Sequence, residues 1–256
     1  MTRRRGIGSR IRLVLGLAVV VALAGCAAGV LPPVHSERER LDVARRMAAR
    51  RDYTDAIEML KTFIQNNAGS AEADHAIYLL GDCYLKQKDW ALAAVEFERL
   101  TRDYPESDSA GSASFQLGVA LYGQAREPDF DQDFTRRAET QWENYLHAFP
   151  GHWLNAEADH RVQLARIRLA NKLANTGHLY VKLRQLEPAR VYFHRVETEY
   201  SDTPVLGDAW VGLALCDALE KKRDAAIARL QEVETRFAGR PVAARAARER
   251  ERLQKK

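Results

Sequence analysis

A 37-residue self-similarity constrains this chain more than any other feature. Asp52 to Ser70 reads DYTDAIEMLKTFIQNNAGS, and 37 residues further on Asp89 to Ser107 reads DWALAAVEFERLTRDYPES. The two stretches align without a gap, with Ala56 over Ala93, Leu60 over Phe97 and Ser70 over Ser107. The same shift carries Ala44 onto Gly81, Gly81 onto Gly118, and Gly177 onto Ala214, each a small residue among apolar residues at helical spacing. A repeat of this length is one supersecondary unit that cannot bury its apolar face alone, so its neighbours must cover it.

The second unit carries Leu80-Gly81, Tyr84, Ala93, Phe97 and Pro105, which is the pattern of tetratricopeptide (TPR) helix pairs. Small residues at Gly81 and Ala93 let the two helices approach, Tyr84 and Phe97 fill the space between them, and Pro105 ends the unit. Gly177, Tyr180, Ala189 and Phe193 repeat the scheme in a fourth unit, and Trp210, Leu213, Ala214, Ala226 and Leu230 in a fifth. The expected fold is all-α, a right-handed TPR solenoid of five helix pairs over residues 37–239. The unit is longer than the usual length of about 34 residues.

Two irregularities interrupt the period. Eight extra residues in the third unit fall in REPDFDQDF, an acidic and aromatic insertion between its helices. Fourteen more lengthen the first helix of the fourth unit, placed around Asn155 to Gly177, where Ala158, Val162, Ala165, Leu169 and Leu173 keep a helical spacing. Pro241 is expected to start a last helix in a basic tail, residues 240–256, with seven Lys/Arg against two acids. This tail can cap the solenoid, contact a partner or fray. Cys83 and Cys216 lie three units apart, too far for a disulfide, and are expected as packed thiols.

The amino terminus, residues 1–25, has a different character. Five arginines and no acid precede LVLGLAVVVALAGC, whose twelve-residue apolar run, Leu13 to Ala24, is too short to span a bilayer. A basic start, an apolar stretch of this length and small residues at its end make a secretory signal. Leu23-Ala24-Gly25-Cys26 matches the bacterial lipobox, so Cys26 is the expected lipidation site and residues 26–36, with Pro32 and Pro33, a lipid-anchored linker. Without that segment the formal charge falls from +4 to −1. The sequence pI near 9.0 is therefore no sign of nucleic-acid binding, and none is expected.

No catalytic motif, phosphate loop or metal-ligand spacing is present, and seven scattered histidines do not gather in sequence. The expected protein is not an enzyme and uses no cofactor or metal. Asp131 and Asp133 in the insertion suit a solvated loop or a partner contact better than an acid/base pair. Tyr78, Phe115 and Tyr122 fall on the side of the first helices that lines the concave groove of such solenoids. Binding of peptides or protein surfaces is the function that this fold offers.

A lipobox, a short linker, five TPR units, an insertion in the third and a long helix opening the fourth together resemble the BamD family. The most specific stretch is DFDQDFTRRAETQWENYLHAFPGHWLNAEADHRVQLARIRLA, Asp129 to Ala170. The resemblance implies a lipoprotein on the periplasmic face of the outer membrane. Its partners would be a BamA-like barrel protein, other Bam lipoproteins and unfolded outer-membrane protein precursors. It implies a peptide groove over Tyr78, Asp82, Leu85, Phe115, Val119 and Tyr122. It also implies a BamA-docking surface on the second helix of unit four, where this sequence departs from the family by placing Tyr192 at the basic position, beside Arg190 and Arg195. The second reading is another cell-envelope TPR lipoprotein acting as an adaptor for division or peptidoglycan enzymes; the insertion and the lengthened helix argue against it.

Overall fold

The computed structural model describes residues 36–255, and among these it contains eleven helices and no strand. Cys26, the segment before it and the linker up to residue 35 lie outside the described residues. The helices pair as α1 (Glu37–Ala49) with α2 (Tyr53–Asn66), α3 (Ala73–Gln87) with α4 (Trp90–Asp103), and α5 (Ala110–Gly123) with α6 (Asp133–Ala148). These are followed by α7 (Asn155–Lys182) with α8 (Leu186–Glu199), α9 (Leu206–Leu219) with α10 (Arg223–Arg236), and a last helix α11 (Pro241–Gln254). The chain is a TPR-type solenoid.

The two helices of a unit bury different amounts of surface because they have different neighbours. The second helices bury one stripe: Ala56, Ile57, Leu60, Phe63 and Ile64 on α2, and only Ala226, Leu230 and Val233 on α10. The first helices are flanked on both sides. On α9, Leu206, Ala209, Trp210, Val211, Leu213, Ala214 and Cys216 are all buried. Gly81 marks the closest approach within unit two, where a Cβ would lie 2.8 Å from the Phe97 ring.

Both kinds of turn repeat with the period. Between the helices of a unit, Arg51, Lys88, Arg184 and Lys221 adopt left-handed φ values of 60–69°. The following amide then reaches back to close the helix end, as Asp89 N–H does to Tyr84 O at 2.9 Å and Lys222 N–H to Asp217 O at 2.9 Å. Between units, Ser70 Oγ accepts from Glu72 N–H and Ser107 Oγ from Ser109 N–H. In the third such turn the ring nitrogen His152 Nδ1 takes that role towards Leu154 N–H and also bonds Tyr145 Oη at 2.7 Å.

The long helix starts at Asn155 as expected but runs five residues past Gly177, because that glycine serves close packing and not termination. A Cβ on Gly177 would stand 2.6 Å from the Phe193 ring, and the chain turns only at Arg184. At 28 residues α7 is about 42 Å long. Its first half, through Ala165, joins the apolar core of the first three units, and its second half, from Ala170, joins that of the last two. The tail is a capping helix: Ala246 is fully buried, with Val242 and Leu253 packed beside it. Arg245 bonds Asp208 of α9, and Arg250 bonds Glu234 of α10. Cys83 and Cys216 are buried and, among the described residues, unbridged.

Candidate protein-interaction site

The insertion between α5 and α6 is tied down at its base. Gln132 is 2% exposed. Its side-chain amide donates to the carbonyls of Glu127 at 2.8 Å and Arg126 at 3.1 Å, while its oxygen accepts from Thr135 Oγ1 at 2.8 Å. One face of α7 holds the loop from the other side. Arg168 donates to Gln132 Oε1 at 3.1 Å and to Arg126 O, Lys172 to Asp129 O at 2.6 Å, and Asn175 to Asp129 Oδ1 at 3.0 Å. Phe130 remains 48% exposed at the tip, under the Arg126 guanidinium. Asp131 and Asp133 both face Arg136.

Two residues earlier on α7, Arg166 draws together unit three and the turn after unit four. It reaches Glu139 of α6 at 3.0 Å, both oxygens of Asp202 at 2.8 Å and Glu199 O at 2.8 Å, and lies over the Tyr200 ring. These bonds pull Asp202 below the ordinary carboxylate range, whereas burial pushes Glu139 up despite the same arginine. The lengthened helix is thus a spine to which the insertion, α6 and the following turn are bonded.

Beside it, between α6, α7 and α8, opens a groove of about 390 Å³ lined by Arg136, Leu169, Lys172, Leu173, Tyr192 and Arg195, among others. Of the three docking candidates, Tyr192 stacks on Tyr180 with ring centres 5.5 Å apart, and Arg195 is exposed and paired with Glu199. Arg190 is spoken for within the fold. It bonds Asp217 at 2.8 Å and Glu220 at 2.9 Å, joining α8 to α9, and only Tyr192 and Arg195 border the groove.

The peptide-groove candidates on α3 and α5 divide in the same way. Asp82, Val119 and Tyr122 are half-buried, and Tyr78 packs edge-on against Phe97. Leu85 and Phe115, at 8% and 4% exposure, belong to the core and present no surface to a partner. Phe115 instead packs on Tyr145 and Trp142 of α6, because α5 has helices on both sides. Tyr122 leans on Trp142 with Arg168 above it, which connects the α5 surface to the spine.

Trp153, 77% exposed in the turn before α7, had no repeat position to mark it in the sequence. Among the described residues no three His, Cys, Asp or Glu side chains gather to hold a metal ion. No helix there is long and apolar enough to cross a membrane. His75, His178 and His194 each bond a carboxylate.

Fold and site together define a helix-pair repeat protein that offers grooves and polar clamps, and so a protein-binding solenoid. The family described as YfiO, outer membrane lipoprotein, matches residues 82–214, just over half of the chain, and the chain belongs to that family. This places it among proteins associated with the outer membrane. No curated protein sequence matches it. Its fold is similar to that of a tetratricopeptide repeat protein from Parabacteroides merdae (13% identity, 85% of this chain and 72% of that one, TM-score 0.38). It is also similar to a Podospora anserina putative kinesin light chain with TPR-like repeats (15%, 77% and 93%, TM-score 0.40). A third likeness is to the TPR2AB domain of yeast Sti1 in its complex with pHSP90 (10%, 85% and 96%, TM-score 0.40). At these scores the fold rests on the helix pairing described above.

Proposed function

We propose that this chain is a non-enzymatic, lipid-anchored scaffold on the periplasmic face of the outer membrane. There it joins a BamA-like barrel protein and other Bam lipoproteins and receives segments of unfolded outer-membrane proteins. The observation that carries the reading is the family match over residues 82–214, because that span contains the two features that depart from a plain TPR array: the insertion and the lengthened α7. The clamps of Arg166, Arg168 and Lys172 support it further, since they hold units three and four in one fixed relation, as a scaffold between two partners requires. Cys26 supplies the anchor; two acyl chains on its sulfur hold a protein on a bilayer where a single chain is marginal.

In this reading the groove beside Tyr192 and Arg195 faces the barrel protein, and the half-buried Tyr78, Asp82, Val119 and Tyr122 face the precursor. Affinity purification of the intact lipoprotein from gently solubilised envelopes tests the proposal. A BamA-like barrel protein is expected among the captured chains, and depletion is expected to lower the level of outer-membrane barrels. Capture of division or peptidoglycan enzymes with no barrel protein would overturn it. Metabolic labelling with a fatty acid is expected to mark the wild-type chain and not the Cys26→Ser chain; equal labelling of both would remove Cys26 as the anchor from the proposal.

A further inference from the structure

At the carboxyl-terminal end of the solenoid a cleft of about 720 Å³ opens between the turn that follows α8 and the start of α11. Pro204 and Leu206 form one apolar wall and Phe237 and Val242 the other, with Arg236 and Arg240 beside them. The Arg236 guanidinium lies 4.8 Å over the Trp210 ring and that of Arg240 5.9 Å over Phe237. Among the described residues neither arginine has a carboxylate partner, whereas Arg229 on α10 and Arg245 and Arg250 on α11 do. Asp202, the one acid on the cleft among the described residues, is held through both oxygens by Arg166. The cleft is therefore positive.

Folding alone explains Arg236, which sits in the last turn of α10, where a cation complements the helix dipole. For Arg240 it offers only the contact with the Phe237 ring. That residue is the N-cap of α11, makes no side-chain capping bond and puts a cation at the positive end of a helix. Nearby, the buried Trp210 indole N–H has no hydrogen-bond partner among the described residues, its ring between Arg236 and Phe237. An anion in the cleft would pair with both guanidinium groups and cap the helix start that Arg240 leaves uncapped.

We propose that this cleft docks an acidic linear segment of a partner protein, one that carries an apolar side chain beside its carboxylates. The carboxylates pair with Arg236 and Arg240, and the apolar side chain lies between the exposed Pro204 and the half-buried Val242, the accessible parts of the two walls. A concave site with apolar walls suits a chain segment better than the flat headgroup plane of a bilayer. The inference does not rest on the assembly role proposed above.

An array of decapeptides tests it, each placing Asp or Glu around one Leu or Phe, with Asn/Gln counterparts, probed with the purified full-length lipoprotein. Acidic peptides are expected to bind about tenfold better than their amide counterparts, as charge-assisted bonds to arginine require. Arg236→Gln with Arg240→Gln is expected to remove the preference, and Arg236→Lys with Arg240→Lys to keep most of it. A bound acidic peptide is also expected to shift the Trp210 indole N–H resonance, assigned through Trp210→Phe; this readout stands even where the Gln variant folds poorly. Equal binding of amide peptides overturns the proposal. So does an acid preference unchanged in a folded Gln variant, an unmoved Trp210 resonance, or loss of peptide binding in favour of phosphatidylglycerol vesicles.

Discussion

Gly81 and Phe97 show how a single residue sets the distance between two helices. A methyl group at Gly81 would press on a ring that is completely buried, so the ring cannot swing out to solvent. Gly81→Ala is therefore expected to cost about 1–3 kcal/mol by overpacking, read from urea denaturation, despite the better helix propensity of alanine. Adding Phe97→Leu to that variant should return part of the loss, which separates a steric cause from a backbone one. The thiols belong to the same scale. Burial pushes Cys83 up to about 12 and Cys216 up to about 11, so neither is a thiolate at neutral pH. Iodoacetamide at pH 8 is expected to leave both unmodified in the native protein and to label both in denaturant. Fast native labelling of Cys83 would mean that α3 opens locally.

Among the elements, the insertion depends on one buried amide. Gln132→Ala strips the carbonyls of Arg126 and Glu127 of a donor and Arg168 and Thr135 of an acceptor. A loss of about 1–3 kcal/mol is expected for such unsatisfied groups. Cleavage within residues 124–132 by a limiting protease should accelerate while the other turns keep their rates. The position of the insertion was legible in the sequence because it breaks the period, but its attachment was not, since Arg168, Lys172 and Asn175 stand 36–46 residues away from what they hold. The same applies to Arg190, whose charge looked free until α9 brought Asp217 and Glu220 to it. The end of α7 was misplaced for a local reason. Glycine signals both helix ends and close packing, and here an arginine takes the left-handed turn for which sequence gives no cue. Leu85 and Phe115 look like groove residues on an isolated helix and become core only when both flanking helices are present.

Asp208 links three elements, bonded by His178 of α7 and Arg245 of α11. Burial raises its pKa, but the hydrogen bond and charge of His178 together with Arg245 outweigh that and hold it below the ordinary value. A depressed carboxylate contributes stability that is present above the unfolded value of about 3.9 and lost as pH falls through the folded one. Asp208→Asn is therefore expected to lower stability at pH 7 and to flatten its decline below about pH 4, measured by thermal denaturation across pH. An unchanged acid limb would exclude Asp208 as its source.

Over the whole molecule, the solenoid has no single centre. Units touch mainly their neighbours, so stability is close to a sum of local terms and damage should stay local. The two apolar clusters meet on α7, whose halves belong one to each. Phe193 gives the cleanest test, because its fully buried ring packs against both Gly177 of α7 and Gly212 of α9 and so locks unit four to unit five. Phe193→Ala is expected to cost about 3–5 kcal/mol. In hydrogen exchange the loss of protection should fall on the second half of α7, on α8 and on α9. Helices α2 to α4 should keep their rates, since no side chain of theirs belongs to the second cluster. The first half of α7 decides between two pictures. If it stays protected, the long helix frays from its carboxyl end and the first three units stand alone. If it opens with the rest, the spine transmits the loss through Arg166 and Arg168 to α6 and the insertion, and the protein responds as one body to a partner docking at either end.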